Sequence, residues 1–221
     1  IGYWAFDETT LGTAPGGTDF EDSSGKGHHA VANGTLTLGI TGIRNTGIRS
    51  TGLGSVSIPI DLSQEKVVTI SLWVWEHITA SNLSNILFEY TPNSNAANGF
   101  FSSLDDSSAT PIHSFVNRIH GASGTFGNTS PTLSTGWHNV MATYDQTNVS
   151  QNSITLSVDG ALVSTTQIAT ETANNAGTFA NSNLYLLCRG GTSLCLSADI
   201  DELIIWNRAV TQSEIASIYS F

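Results

Sequence analysis

The chain is poor in charge, and in cations above all. Only 11% of its 221 residues are charged, and 7 Lys and Arg face 18 Asp and Glu, for a formal net charge of −11. That balance excludes the basic surface that a nucleic acid or an anionic membrane requires. Apolar residues nowhere run for the roughly 18 positions of a membrane helix, so no membrane insertion is expected. With 5 prolines and no charge-rich stretch, there is no linker. One domain over residues 1–221 is expected, large enough to bury a core. No signal peptide precedes the first strand-like segment, which fits a mature secreted protein or a piece of a larger one.

Cysteine is nearly absent: 2 residues, Cys188 and Cys195, bracket Arg-Gly-Gly-Thr-Ser-Leu. The spacing is wrong for a CxxC metal or redox site. Hairpin strands joined through the Gly-Gly turn would bring the sulfurs within bridging distance, and a disulfide would place the chain in an oxidising, extracellular setting. Two free core cysteines are the other reading. Helical periodicity is missing almost throughout, and no Gly-x-Ser-x-Gly elbow or activated serine is visible. His28 and His29 are adjacent, point apart on an extended chain, and have no third zinc ligand at a suitable spacing.

What remains is short apolar or alternating runs separated by Gly, Asn and Ser. They predict strands at Gly2–Phe6, Val56–Ile60, Val67–Ile78, Asn85–Tyr90, Gly99–Ser103, Ile112–His120, His138–Asp145, Ser153–Val158, Ala161–Gln167, Leu184–Cys188 and Ile200–Asn207. Asp159-Gly160 predicts a tight hairpin. Stretches at Thr91–Asn98, Ala122–Ser134 and Ala169–Asn183 read as long loops. The sequons at Asn33, Asn82, Asn128 and Asn148 suit surface loops. One short helix is expected near the C-terminus, opened by a Thr211/Glu214 capping box with Val210 and Ile215 as hydrophobic staple. The fold class is therefore all-β, a two-sheet antiparallel sandwich with one C-terminal helix.

Several motifs occur in order along the chain: Trp4-Ala-Phe-Asp-Glu8, Asp22-Ser-Ser-Gly-Lys-Gly-His-His-Ala30, Val68-Thr-Ile-Ser-Leu-Trp73, Gly136-Trp-His-Asn-Val140 with Thr143-Tyr-Asp145, Leu156-Ser-Val-Asp-Gly-Ala-Leu162, and Ile200-Asp-Glu. This set resembles the laminin-G-like jelly-roll domains of the concanavalin A-like lectin/glucanase superfamily. The resemblance implies a jelly-roll sandwich, frequent service as a non-catalytic carbohydrate-binding module of a secreted or cell-surface protein, and often a structural calcium. Adhesion or structural domains contacting protein share the fold, as do some enzymes. First and last strands are neighbours in a jelly roll. The expected Ca²⁺ set is therefore Asp7, Asp22, His29, Asp201 and Glu202, with backbone carbonyls between Lys26 and His29.

Asp199-Ile-Asp-Glu also looks like the acidic strand of laminarinase-type glycosidases, whose carboxylates stand at i, i+2 and i+4 on one face. Leu203 occupies the third position and Glu202 is expected on the opposite face, so no enzyme is expected. For a poly- or oligosaccharide partner the candidate surface is Trp75, Arg118 and His120. Strand alternation sets Trp73 and Trp75 opposite Ile70, Leu72 and Val74, and sets Arg118 and His120 opposite Phe115, Asn117 and Ile119. Trp73, Trp137 and Trp206 are expected in the core.

Overall fold

Residues 67–76 alternate in the structure as they do in the sequence: Val68, Ile70, Leu72 and Val74 are buried, while Trp73 and Trp75 turn outward. The same period of two builds the rest of the computed structural model, which describes residues 1–77, 85–91, 96–104, 114–121, 124–148, 152–170 and 177–220. Its strands are β1 (Gly2–Trp4), β2 (Val31–Thr41), β3 (Thr46–Ile58), β4 (Val67–Glu76), β5 (Asn85–Tyr90), β6 (Phe100–Leu104), β7 (Phe115–Gly121), β8 (Gly124–Thr129), β9 (His138–Asp145), β10 (Ser153–Val158), β11 (Ala161–Leu162), β12 (Thr166–Thr170), β13 (Leu184–Leu186) and β14 (Ser197–Trp206). A single α-helix, α1, spans Gln212–Tyr219.

Among the described residues every pairing between these strands is antiparallel, and most join in one path, β11-β10-β9-β4-β14-β3-β13-β5-β6-β7-β8-β12, with β1 beside β14 and β2 beside β3 off it. The path curls on itself into two facing layers. Strand β3 makes the turn between them. Its Ile48–Thr51 half pairs with β14, while its Val56–Ile58 half pairs with β13. The bend is possible because Gly34 and Gly54 meet there. A Cβ on either would lie 2.3 Å from a backbone carbonyl oxygen, of Leu53 and Thr35 respectively.

Between the layers, Tyr144 of β9 reaches across. Its ring stacks on Phe100 at 4.3 Å and its hydroxyl donates to Phe101 O and Asn117 Oδ1, both at 3.1 Å. Burial holds the Tyr144 phenol well above its ordinary pKa. Trp4 is fully buried and anchors β1 by donating from Nε1 to His28 O at 3.0 Å.

Helix α1 has both halves of the expected capping box: Glu214 N donates to Thr211 Oγ1 and Thr211 N to Glu214 Oε2. It lies on the outer face of β4, β9 and β14. Ile215 is buried, Tyr219 stacks on Trp73 at 5.4 Å, and Gln212 donates to Gly160 O at 3.0 Å. Asp159 and Gly160 take the positive φ of a tight hairpin turn, as their sequence predicts.

The strand expected at Ala161–Gln167 is two, β11 at Ala161–Leu162 and β12 at Thr166–Thr170, the second running into the expected loop. Three more strands depart from expectation. Val31–Thr41, most of Thr46–Ile58 and Gly124–Thr129 are strands although Gly, Thr and Asn give them a loop-like composition; pairing with neighbours overrides propensity. Two sequons are also off loops. Asn33 lies in β2, and Asn128 in β8 is 2% exposed and donates to Ile154 O. Asn148 is exposed; Asn82 lies outside the described residues.

Candidate functional site

The acidic residues near the two chain ends tie strands together through backbone N–H groups. Asp22 is 2% exposed; its carboxylate accepts from Tyr3 N (3.1 Å), Ser24 N (3.0 Å) and His28 N (3.0 Å). Burial works to raise its pKa, but these donors and the Ser24 side chain win and lower it. His29 Nδ1 accepts from Asp22 N. Asp201 Oδ2 accepts from Ile43 N and Arg44 N and its Oδ1 from Glu202 N, while burial pushes the group up to about 7. Asp7 accepts from Thr46 N and Asn45 Nδ2, and Glu202 Oε2 from the Tyr3 hydroxyl.

This donor set does not suit calcium. The oxygens that a Ca²⁺ would need already face N–H and O–H donors, whose positive ends would oppose a cation. Among the described residues no three His, Cys, Asp or Glu side chains gather as a metal site. Asp7, Asp22, His29, Asp201 and Glu202 thus pin the first strand, the β2–β3 turn and the last strand, as the sequence suggests, but by hydrogen bonds.

The expected composite of Trp75, Arg118 and His120 is split. Trp75 is on β4 in one layer; Arg118 and His120 are on β7 in the other, and both sets point away from the shared core. Beside Arg118 and His120, Phe101 has a guanidinium on it from Arg118 at 5.8 Å and from Arg189 at 5.6 Å. Arg189 also pairs with buried Glu89 at 3.2 Å, whose pKa burial raises. His120 is 4% exposed, and burial, followed by the nearby Arg118 and Arg189, lowers it to about 4. So little exposed, the His120 imidazole presents almost no surface. The Cys188–Cys195 disulfide closes the loop that carries Arg189.

The outer face of β4, β9 and β14 is different. Trp75 is 39% exposed, packs edge-on to Trp137 at 6.2 Å, and stacks on His77 at 6.0 Å. Opposite it, Asp199 is held by Arg49 through Nε (2.6 Å) and Nη2 (2.8 Å), with His77 Nε2 at 2.8 Å. The pairing raises the Arg49 pKa. Trp73, Trp137 and Trp206, expected in the core, are half-buried on this outward side or its rim. The core is filled instead by Phe, Ile, Leu and Val, with Trp4.

Next to Trp73 the face opens into a groove of about 270 Å³ under α1. Its apolar walls are Trp73, Ile204 and Ile218; its polar groups come from Tyr3, Arg44, Asn139 and Glu202. Glu202 reaches it through a bulge. The register of β14 against β4 shifts between Asp201 and Ile204, and Glu202 takes φ of 52°, which strict alternation did not foresee. Asn139 is 1% exposed and pairs in register with Trp73.

Residues 50–216 match the laminin G-like family model of the concanavalin A-like lectin/glucanases superfamily. The chain belongs to this family. No curated protein matches the laminin G-like chain in sequence. Among solved structures it is similar to the receptor-binding domain of the botulinum neurotoxin C/D mosaic serotype, at TM-score 0.71 and 10% identity, covering 100% of this chain and 50% of that one. It is similar too to the binding domain of Paraclostridial Mosquitocidal Protein 1, at TM-score 0.65 and 17% identity, with 91% and 49% covered. The binding domain of botulinum neurotoxin DC in complex with SialylT gives TM-score 0.66 at 12% identity, with 91% and 48% covered. The laminin G-like chain spans about half the length of these structures. At such identities the likeness is one of fold.

Proposed function

We propose that this laminin G-like domain is a non-catalytic glycan-binding module of a secreted or cell-surface protein, and that sugar binds on the outer face of β4 and β14 around Trp75. The observation that carries the reading is the exposed indole of Trp75, flanked by Trp137 and His77 and bordered by the Arg49–Asp199 pair. An indole face suits the C–H side of a sugar ring, while the guanidinium of Arg49, 41% exposed, can donate to hydroxyls. The carboxylates on this face support binding over hydrolysis: Asp199 is locked by Arg49 and His77, Asp201 by backbone donors, and Glu202 accepts from Tyr3. A similar binding domain was solved with SialylT, which adds weight to a glycan. The disulfide supports an extracellular setting.

Glycan-array screening followed by titration tests this. A shallow platform should bind at micromolar to millimolar strength, on the order of −4 to −8 kcal/mol, and Trp75→Ala should weaken binding at least about tenfold without lowering the melting temperature. Failure of every glycan to bind at millimolar concentration refutes the reading and favours its alternative, an adhesion or structural domain that contacts protein. One similar domain, of botulinum neurotoxin DC, was solved with rat synaptotagmin II. Here Leu53, 70% exposed, and Val31 on edge strand β2 offer apolar surface to such a partner.

A further inference from the structure

Strand register sets a row of residues side by side across the outer sheet. Thr37 of β2 faces Arg49 of β3, Arg49 faces Asp199 of β14, and Asp199 faces Trp75 of β4. Val74 pairs with His138, which brings Trp137 to the far end, edge-on to Trp75 at 6.2 Å. Residues opposite one another on neighbouring strands share a face, so the row is a continuous strip of outward side chains. Its ends differ in character. Trp75 and Trp137 give aromatic surface at one, and Arg49, 41% exposed, gives a cation at the other.

Between them lies Asp199, which has nothing left to offer a ligand. It is 2% exposed and takes Arg49 Nε, Arg49 Nη2 and His77 Nε2. A sugar hydroxyl in need of an acceptor finds none at this carboxylate. Asp199 holds the guanidinium instead. The two bonds from Arg49 use its Nε–Nη2 edge and leave Nη1 without a partner among the described residues. The free end of the guanidinium is therefore a second fork, formed by Nη1 and the outer hydrogen of Nη2.

Two parallel N–H groups match the two oxygens of a carboxylate, and such charge-assisted pairs are roughly twice as strong as neutral bonds. A hydroxyl takes only one of them. Because Asp199 already fixes the guanidinium, little side-chain freedom is left to lose on binding. An anion arriving at the fork also meets an ion pair, not a bare carboxylate. Only β14 separates Arg49 from Trp75, two strand spacings or roughly 10 Å. That is the reach from one ring of a disaccharide to a carboxylate on the next.

We infer that the glycan is acidic: a uronic or sialic acid residue sets its carboxylate on the free fork of Arg49 while a neighbouring ring stacks on Trp75. This rests on the glycan-binding reading and specifies its ligand. The glycan then runs across the strands, from Trp137 toward Thr37.

Titration calorimetry with two acid–ester pairs tests the inference. The probes are digalacturonic acid and 3′-sialyllactose, each against its methyl ester, which keeps the shape and removes the charge. At least one acid should bind about tenfold or more tightly than its ester, and which one does so separates a uronic from a sialic acid. The Arg49→Gln, Asp199→Asn double variant removes both charges together, so that neither is left unpaired. It should bring acid and ester to within about twofold of each other. If it does not fold, the wild-type acid–ester ratios decide alone. Trp75-dependent binding of neutral glycans only, equal binding of acid and ester, or an acid preference that survives in the double variant would overturn this inference and leave the glycan reading standing. Absence of binding to every glycan at millimolar concentration would overturn both.

Discussion

Replacing Asp22 by alanine should cost about 4 kcal/mol of stability, and the loss should be the same with and without calcium. The carboxylate accepts three backbone N–H bonds, from Tyr3, Ser24 and His28, and is 2% exposed. Bonds to a charged acceptor contribute roughly 1.5–3 kcal/mol each. Ser24 is exposed, so water replaces part of what it loses. The Tyr3 and His28 donors have less access to water, which brings the sum to about 4 kcal/mol. For a domain of this size that is a fall in melting temperature of about 10 °C. Asp22→Asn, keeping one acceptor oxygen, should lose about half. The assay is thermal and urea denaturation of wild type and both variants, in excess EDTA and in excess CaCl₂. A wild-type melting temperature that drops in EDTA and returns with Ca²⁺, or an Asp22→Ala variant destabilised only in calcium, would refute the hydrogen-bond account and reinstate a metal at the joined chain ends.

Two further outcomes follow from groups outside that joint. The folded-state pKa of His120 is lowered to about 4, so the unfolded chain takes up its proton first. Its contribution is intact above pH 6.5 and is lost as pH falls through about 4, by about 3 kcal/mol. His120→Phe should therefore flatten the acid side of the stability profile between pH 6.5 and 4, and an unchanged profile would show that folding leaves the imidazole pKa where the unfolded chain has it. The Cys188–Cys195 bridge closes a short loop with a separation of 7 residues, so the Cys188→Ser, Cys195→Ser double variant should lose about 2.5 kcal/mol by loop-closure entropy. Denaturation midpoints measured beside reduced wild type check this; equal midpoints for oxidised wild type and double variant would show that the Arg189 loop holds without the crosslink.

The motifs at the two ends made the fold legible, because a capping box, an Asp-Gly turn and apolar alternation each act over a few neighbouring residues. Thr211 with Glu214, Asp159-Gly160 and Val67–Glu76 all do in the structure what their spacing requires. The Gly- and Thr-rich strand Val31–Thr41 was illegible because its order comes from pairing with β3, not from its own side chains. The candidate site was half legible. Alternation put Trp73 and Trp75 on one outward row, but no local pattern tells which layer a strand joins, so Arg118 and His120 were grouped with Trp75 from the opposite face. Nor does spacing reveal a bulge: Glu202 enters the groove only because β14 slips register before Ile204.

Helix α1 is held to the sandwich by few side chains, chiefly Ile215, the Tyr219–Trp73 stack and the Gln212 bond to Gly160. The same helix roofs the groove with Ile218. Anything that bound in the groove against Ile218 would therefore be linked to docking of the helix, each favouring the other by the same free energy. Occupancy would slow amide exchange along residues 212–219, and lifting the C-terminal helix would weaken it, so this end of the chain would act as a latch on that groove.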